Sequence, residues 1–162
     1  LIGGFLAARP EIIQFFKYNM RSQIFAQSLP MPIVEGLLKR FELLRDRPEL
    51  REKLWHNVRL LQSGLKARGF DIGDTNTCVT PVYMHGEVEE AMALVREMRD
   101  VYGVFCSIVV YPVIPKGMII LRLIPTAVHT EEDIEITLDA FTAVGAKLKA
   151  GAYKDYVPEA VV

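Results

Sequence analysis

At 162 residues, with 51% hydrophobic and 24% charged residues, the chain is long and apolar enough to bury a sizeable core, which excludes intrinsic disorder. Nineteen Lys and Arg stand against 20 Asp and Glu, a formal net charge of −1, and no basic stripe follows a nucleic-acid backbone. No apolar stretch approaches a membrane span, and no signal-peptide pattern opens the sequence.

Cys78 and Cys106 form no metal-ligand spacing and read as small core hydrophobes in a reducing compartment, so the expectation is a cytoplasmic protein. The length suits one domain, or one domain plus part of another. The sequence starts on "LIGGFLAARPEIIQFF", without methionine and already in the texture of a buried strand. Domain boundaries fall in exposed polar linkers, so a piece of a longer protein is expected.

Ile2 to Ala8 reads as a short strand with the glycine pair Gly3-Gly4 near its start, suited to close packing or to close approach of a ligand. Pro10 fits the first turn of a helix running to about Asn19. "RSQIFAQSLPMP" is expected to be extended at Ile24 and Phe25 and to end in a proline-marked turn. From Ile33 to about Arg45 an amphipathic helix places Val34, Leu37, Leu38 and Phe41 at helical spacing. "DRPEL" restarts a helix, with Asp46 as cap, Pro48 in the first turn and Leu50, Leu54, Val58, Leu61 and Leu65 on one face up to Gly69.

After Phe70 the texture changes. "DIGDTNT" is a loop, "CVTPVYMH" a strand, Glu87 to Tyr102 a helix, "VFCSIVVYP" a β-branched strand, "VIPKG" a turn and "MIILRLIP" another strand. A last helix starts at Thr130, a capping residue with Asp133 three positions on. The tail from Lys149 carries no strong signal. Strand, helix, strand, strand, helix describes a compact α+β layer, helices on a small, mostly antiparallel sheet.

One residue disturbs this pattern. In "MIILRLI", Ile120, Arg122 and Ile124 share one face and Ile119, Leu121 and Leu123 the other, which marks a central strand with a guanidinium among aliphatics. A buried guanidinium needs a partner. The partner is either an acid of this chain or an anion from outside, a carboxylate or phosphate that suits the planar fork of arginine. His129 reads as a turn or capping residue and Lys116 as a solvated loop tip, while His56 and His85 have no neighbours that would organise a triad or metal site. No Walker loop, dinucleotide fingerprint or nucleophile elbow occurs.

Two segments, "IGGFLAA…RSQIFAQSLPMP" and "YPVIPKGMIILRLIPTAVHT", together resemble the α-oxoamine synthases, pyridoxal-phosphate (PLP) enzymes of the fold-type I aminotransferase class. The resemblance covers nearly the whole chain. It implies an α/β fold of fold-type I kind. Residues 1–45 would close a large cofactor-binding domain and its linking helix, and 46–162 would form the C-terminal small α+β domain.

The family joins an amino acid to an acyl-CoA on PLP, held by a lysine that the resemblance places upstream of Leu1. The chain alone is therefore expected to be inactive, with no catalytic and no metal-binding residue. In this likeness Arg122 of "RLIPTAVHT" binds the amino-acid carboxylate, and Ala26 and Gln27 lie near the cofactor phosphate of the neighbouring subunit in a homodimer. "YPVIPKG" is most like glycine C-acetyltransferase, with a serine palmitoyltransferase-like member as the alternative. Two further readings are a non-catalytic subunit of the same fold and a small-molecule-binding α+β module. In the module reading Arg122 would pair with an internal acid. As part of a larger enzyme, the first thirty residues should expose apolar surface and associate or lose order.

Overall fold

The computed structural model describes residues 3–157, which divide between Pro48 and Glu49 into two compact units. The first unit is helical: α1 (Pro10–Asn19), α2 (Arg21–Ile24) and α3 (Met31–Asp46). Pro10 starts α1 and Pro32 sits in the first turn of α3, where a missing N–H costs nothing.

No residue of these three helices is buried. Phe15, Leu38, Phe41 and Leu44 are each more than half exposed, at 61%, 54%, 59% and 63%, so the amphipathic stripes lie open. The exposed apolar surface expected at the start of the chain is present in Phe5, Leu6 and Phe25.

Two expectations fail in this unit. Residues 3–9 form no strand, and Leu1 and Ile2 lie outside the described residues. A strand is made by hydrogen bonds to a neighbour, and no described strand pairs with this segment. Ile24 closes α2 instead of being extended, and Phe25 caps it by donating its N–H to Arg21 O at 2.9 Å. Gly3 has φ +111°, and a Cβ there would stand 3.0 Å from Leu29 Cδ2, so this glycine serves packing.

The second unit holds the core. It runs α4 (Pro48–Ala67), β1 (Thr80–His85), α5 (Val88–Asp100), β2 (Ser107–Val109), β3 (Met118–Leu123) and α6 (Glu131–Lys149). The three strands form one antiparallel sheet in the order β1-β3-β2, which makes the arginine-bearing strand central. Thr80, Val82 and Met84 of β1 stand opposite Leu123, Leu121 and Ile119 of β3, and all six are buried. Val58, Leu61 and Leu65 of α4, Leu94 and Met98 of α5, and Leu138, Phe141 and Val144 of α6 are buried with them.

The alternate residues, Pro81, Tyr83, Ile120, Arg122, Ser107 and Val109, lie on the other sheet face and are half-buried or exposed. β2 is shorter than the β-branched run 104–112 leads one to expect. Gly103, with φ +68°, turns the chain after α5 so that Val104 N–H returns to Met98 O at 2.9 Å, and pairing starts only at Ser107.

Candidate functional site

Arg122 sits near the end of β3 on the uncovered face of the sheet and is exposed. Its register neighbours are Pro81 on β1 and Ser107 on β2. Pro81 has no polar side-chain atom, and among the described residues the guanidinium bonds to Ser107: Arg122 Nε donates to Ser107 Oγ at 3.1 Å. No Asp or Glu among the described residues forms an ion pair with Arg122. The internal acid required by the sensing-module reading is therefore missing among the described residues.

The turn that follows β3 is braced from three sides. Asn57 of α4, only 1% exposed, donates its amide hydrogens to Thr126 O and His129 O, both at 2.9 Å. Thr126 N–H donates to His129 Nδ1 at 3.0 Å, so the ring accepts there and carries its hydrogen on Nε2 when neutral. Thr130 and Asp133 form the expected capping box: Thr130 N–H donates to Asp133 Oδ2 at 2.7 Å and Asp133 N–H to Thr130 Oγ1 at 3.1 Å. The backbone N–H and hydroxyl of Thr130, with His129 nearby, hold the Asp133 carboxyl below the usual carboxylate range. His56 Nε2 lies 2.8 Å from Glu131 Oε1, tying α4 to the start of α6.

These contacts fix the segment directly after Arg122 without using Arg122 itself. A cavity of about 450 Å³ lies beside this turn, lined by Phe105, Leu123, Ile124, His129, Ile134 and Thr137, and Arg122 is not part of its wall.

Ala26 and Gln27 belong to the first unit and Arg122 to the second. Both residues are exposed, and their N–H groups donate to no backbone carbonyl of the described residues. Backbone N–H groups without a backbone acceptor remain available to donate to an anion. Lys116 lies over the Tyr111 ring at 5.1 Å, and His85 takes part in no described constellation. Among the described residues no group of three or more His, Cys, Asp or Glu could hold a metal, and no helix is long and apolar enough to cross a membrane.

The sequence reading missed Ser107 and Asn57. Asn57 did leave a signal, as a polar residue between Leu54 and Leu61 on the apolar face of α4; Ser107 left none.

A small antiparallel sheet with helices on one face is the small-domain architecture of fold-type I aminotransferase-like enzymes. The serine palmitoyltransferase of S. paucimobilis with bound PLP and myriocin matches it with a TM-score of 0.70 at 31% identity, over 80% of this chain and 33% of that one. The Sphingomonas wittichii serine palmitoyltransferase matches with a TM-score of 0.73 at 25% identity, over 88% and 35%.

Residues 1–141 match the model for aminotransferase class I and II, and the chain belongs to that family. It is 60% identical over 153 residues to the cysteate-C-fatty acyltransferase of Capnocytophaga ochracea, covering 94% of this chain and 36% of that protein. It is 35% identical over 148 residues to the 8-amino-7-oxononanoate synthase of Thermoanaerobacter pseudethanolicus, covering 91% and 37%. These relatives are α-oxoamine synthases, the group whose motifs the sequence carries, and the S. paucimobilis member holds PLP. The chain spans just over a third of the length of the curated relatives it matches.

Proposed function

We propose that this chain is the C-terminal portion of a PLP-dependent acyl-CoA:amino-acid C-acyltransferase, in which Arg122 binds the α-carboxylate of the amino-acid substrate. The carrying observation is a guanidinium on a central strand whose described partner is a neutral hydroxyl, Ser107 Oγ at 3.1 Å. Arginine charge without an acid partner suits an anion that arrives and leaves.

An exposed ion pair is worth only about 0–1 kcal/mol in water. A useful clamp therefore needs a second wall over the open sheet face, which a larger enzyme would supply. The uncovered stripes of α1 and α3 support the same reading of a chain that works inside a larger protein.

PLP, when bound, supplies the electron sink for the carbanion at the substrate α-carbon. The N–H groups of Ala26 and Gln27, with the Gln27 amide, would contact its phosphate in a homodimer that shares the site between subunits; Ala26 itself has no side-chain donor. The name of the 60% identical relative supports cysteate and a fatty acyl-CoA as substrates. They rank ahead of the glycine and acetyl-CoA first read from "YPVIPKG", since the 2-amino-3-ketobutyrate coenzyme A ligase of Salmonella typhimurium is 34% identical. A cytoplasmic location belongs to the same proposal.

The test is Arg122→Ala in the full-length enzyme. The cofactor absorbance should persist while amino-acid affinity falls by about 2–4 kcal/mol, the range for a charge-assisted pair in a partly dry site. Unchanged affinity would remove Arg122 from this role. Turnover of cysteate against glycine, each with long and short acyl-CoA, decides the substrate pair.

A further inference from the structure

We infer that Ser107 is the positioning residue for Arg122: its hydroxyl accepts the Nε hydrogen and presents the two terminal nitrogens as an end-on fork to the substrate carboxylate. The inference rests on the carboxylate-binding role proposed above and adds the orientation of the clamp.

A guanidinium has five N–H donors, one on Nε and four on the two Nη atoms. A carboxylate can take it side-on, through Nε and one Nη, or end-on, through both Nη atoms. Arg122 Nε already donates to Ser107 Oγ at 3.1 Å, so the side-on edge is occupied and the end-on edge is open.

Ser107 is held where it is by the sheet. It stands opposite Arg122 in the β2–β3 register, where cross-strand neighbours on one face touch. Cys106 before it is 3% exposed and Ile108 after it packs against the core, so alternation sends the Ser107 side chain to the open face. On the other flank Pro81 offers no polar atom. Among the described residues, β2 supplies the hydrogen bond that orients this arginine. Arginine otherwise samples many rotamers, and a fixed plane lowers the ordering cost of binding.

The experiment uses the full-length holoenzyme and compares Ser107→Thr with Ser107→Val, two β-branched residues of like shape that suit a strand and differ in the hydroxyl. Ser107→Val should raise the KM for the amino acid about 3- to 10-fold, the range for the net worth of one ordinary hydrogen bond. kcat and the cofactor spectrum should stay near those of the parent, and Ser107→Thr should stay within about 2-fold of the parent KM.

Combining each variant with Arg122→Ala separates positioning from general damage, because the Val/Thr difference should vanish once Arg122 is gone. A Val/Thr difference of the same size with and without Arg122 overturns the inference, as does parent-like KM in Ser107→Val when Arg122→Ala alone weakens binding. If Arg122→Ala itself leaves KM unchanged, the carboxylate-binding role fails first and the positioning role with it.

Discussion

Arg122 and Asn57 are both polar residues placed in apolar patterns, and the structure resolves them in opposite ways. Asn57 is sealed against water and spends both amide hydrogens on Thr126 O and His129 O. Arg122 is exposed and spends one hydrogen on Ser107. The first is a brace; the second is a charge left open. Asn57→Ala should destabilise the chain by about 1–3 kcal/mol, because two part-buried carbonyl bonds lose their donor at once. A urea unfolding midpoint equal to that of the parent would show that Thr126 and His129 find other partners. Arg122 was legible as an oddity from strand alternation alone. Ser107 was not, since nothing in "VFCSIVVYP" tells which residue of another strand it will face.

At the scale of elements, the helices of the second unit were readable because capping and periodicity are local. Thr130 caps α6 through Asp133, and Glu90 Oε2 accepts the N–H of Glu87 at 2.9 Å at the start of α5. The strands were harder. β1 and β3 appear where the apolar alternation put them, whereas β2 shrinks to Ser107–Val109 and the segment 3–9 forms no strand. Pairing depends on a neighbour, and propensity cannot supply one.

The contact of α4 with α6 also depends on a residue with no sequence signal. Gly64 lies against Leu138, and a Cβ at Gly64 would collide with that side chain. Glycine in a helix interior is unfavourable by about 0.5–1 kcal/mol relative to alanine, so close helix approach is what repays it. Gly64→Val should cost about 1–3 kcal/mol through overpacking, read as a lower thermal midpoint. A neutral or stabilising result would mean that α4 and α6 separate without penalty.

For the whole molecule, groups that change protonation on unfolding bound the pH range of stability. Burial raises the Glu97 carboxyl, but hydrogen bonds from Lys147 at 2.6 Å and from Tyr153 Oη at 2.8 Å outweigh it and leave it below the usual carboxylate range. A lowered carboxyl contributes stability above its unfolded value of about 4.3, and that contribution is lost as pH falls through the folded value.

On the alkaline side, burial pushes the Cys106 thiol up to about 11, and burial followed by the Glu97 carboxylate raises the Tyr153 hydroxyl. These raised groups contribute fully below their unfolded values, about 8.5 for Cys and 10 for Tyr, and the contribution fades as pH climbs through the folded ones. Stability should therefore be flat from about pH 5 to 8.5 and decline above it, with Cys106 accounting for about 2–3 kcal/mol by pH 11. Cys106→Ala should flatten that part of the profile in calorimetric scans; an unaltered slope between pH 8.5 and 11 would assign the loss elsewhere.

The sequence by itself determined the element types of the second unit, the central place of the arginine-bearing strand and the likeness to α-oxoamine synthases. These depend on near-neighbour periodicity and on motifs written in consecutive residues. The tertiary structure decided what faces what. Ser107 meets Arg122 from 15 positions away, Asn57 reaches 69 and 72 positions to brace the turn, and Tyr153 of the unreadable tail comes back 56 positions to Glu97. Such meetings are set by strand register and helix packing. A slip of one residue in β3 would send Arg122 into the core and Leu121 to the open face.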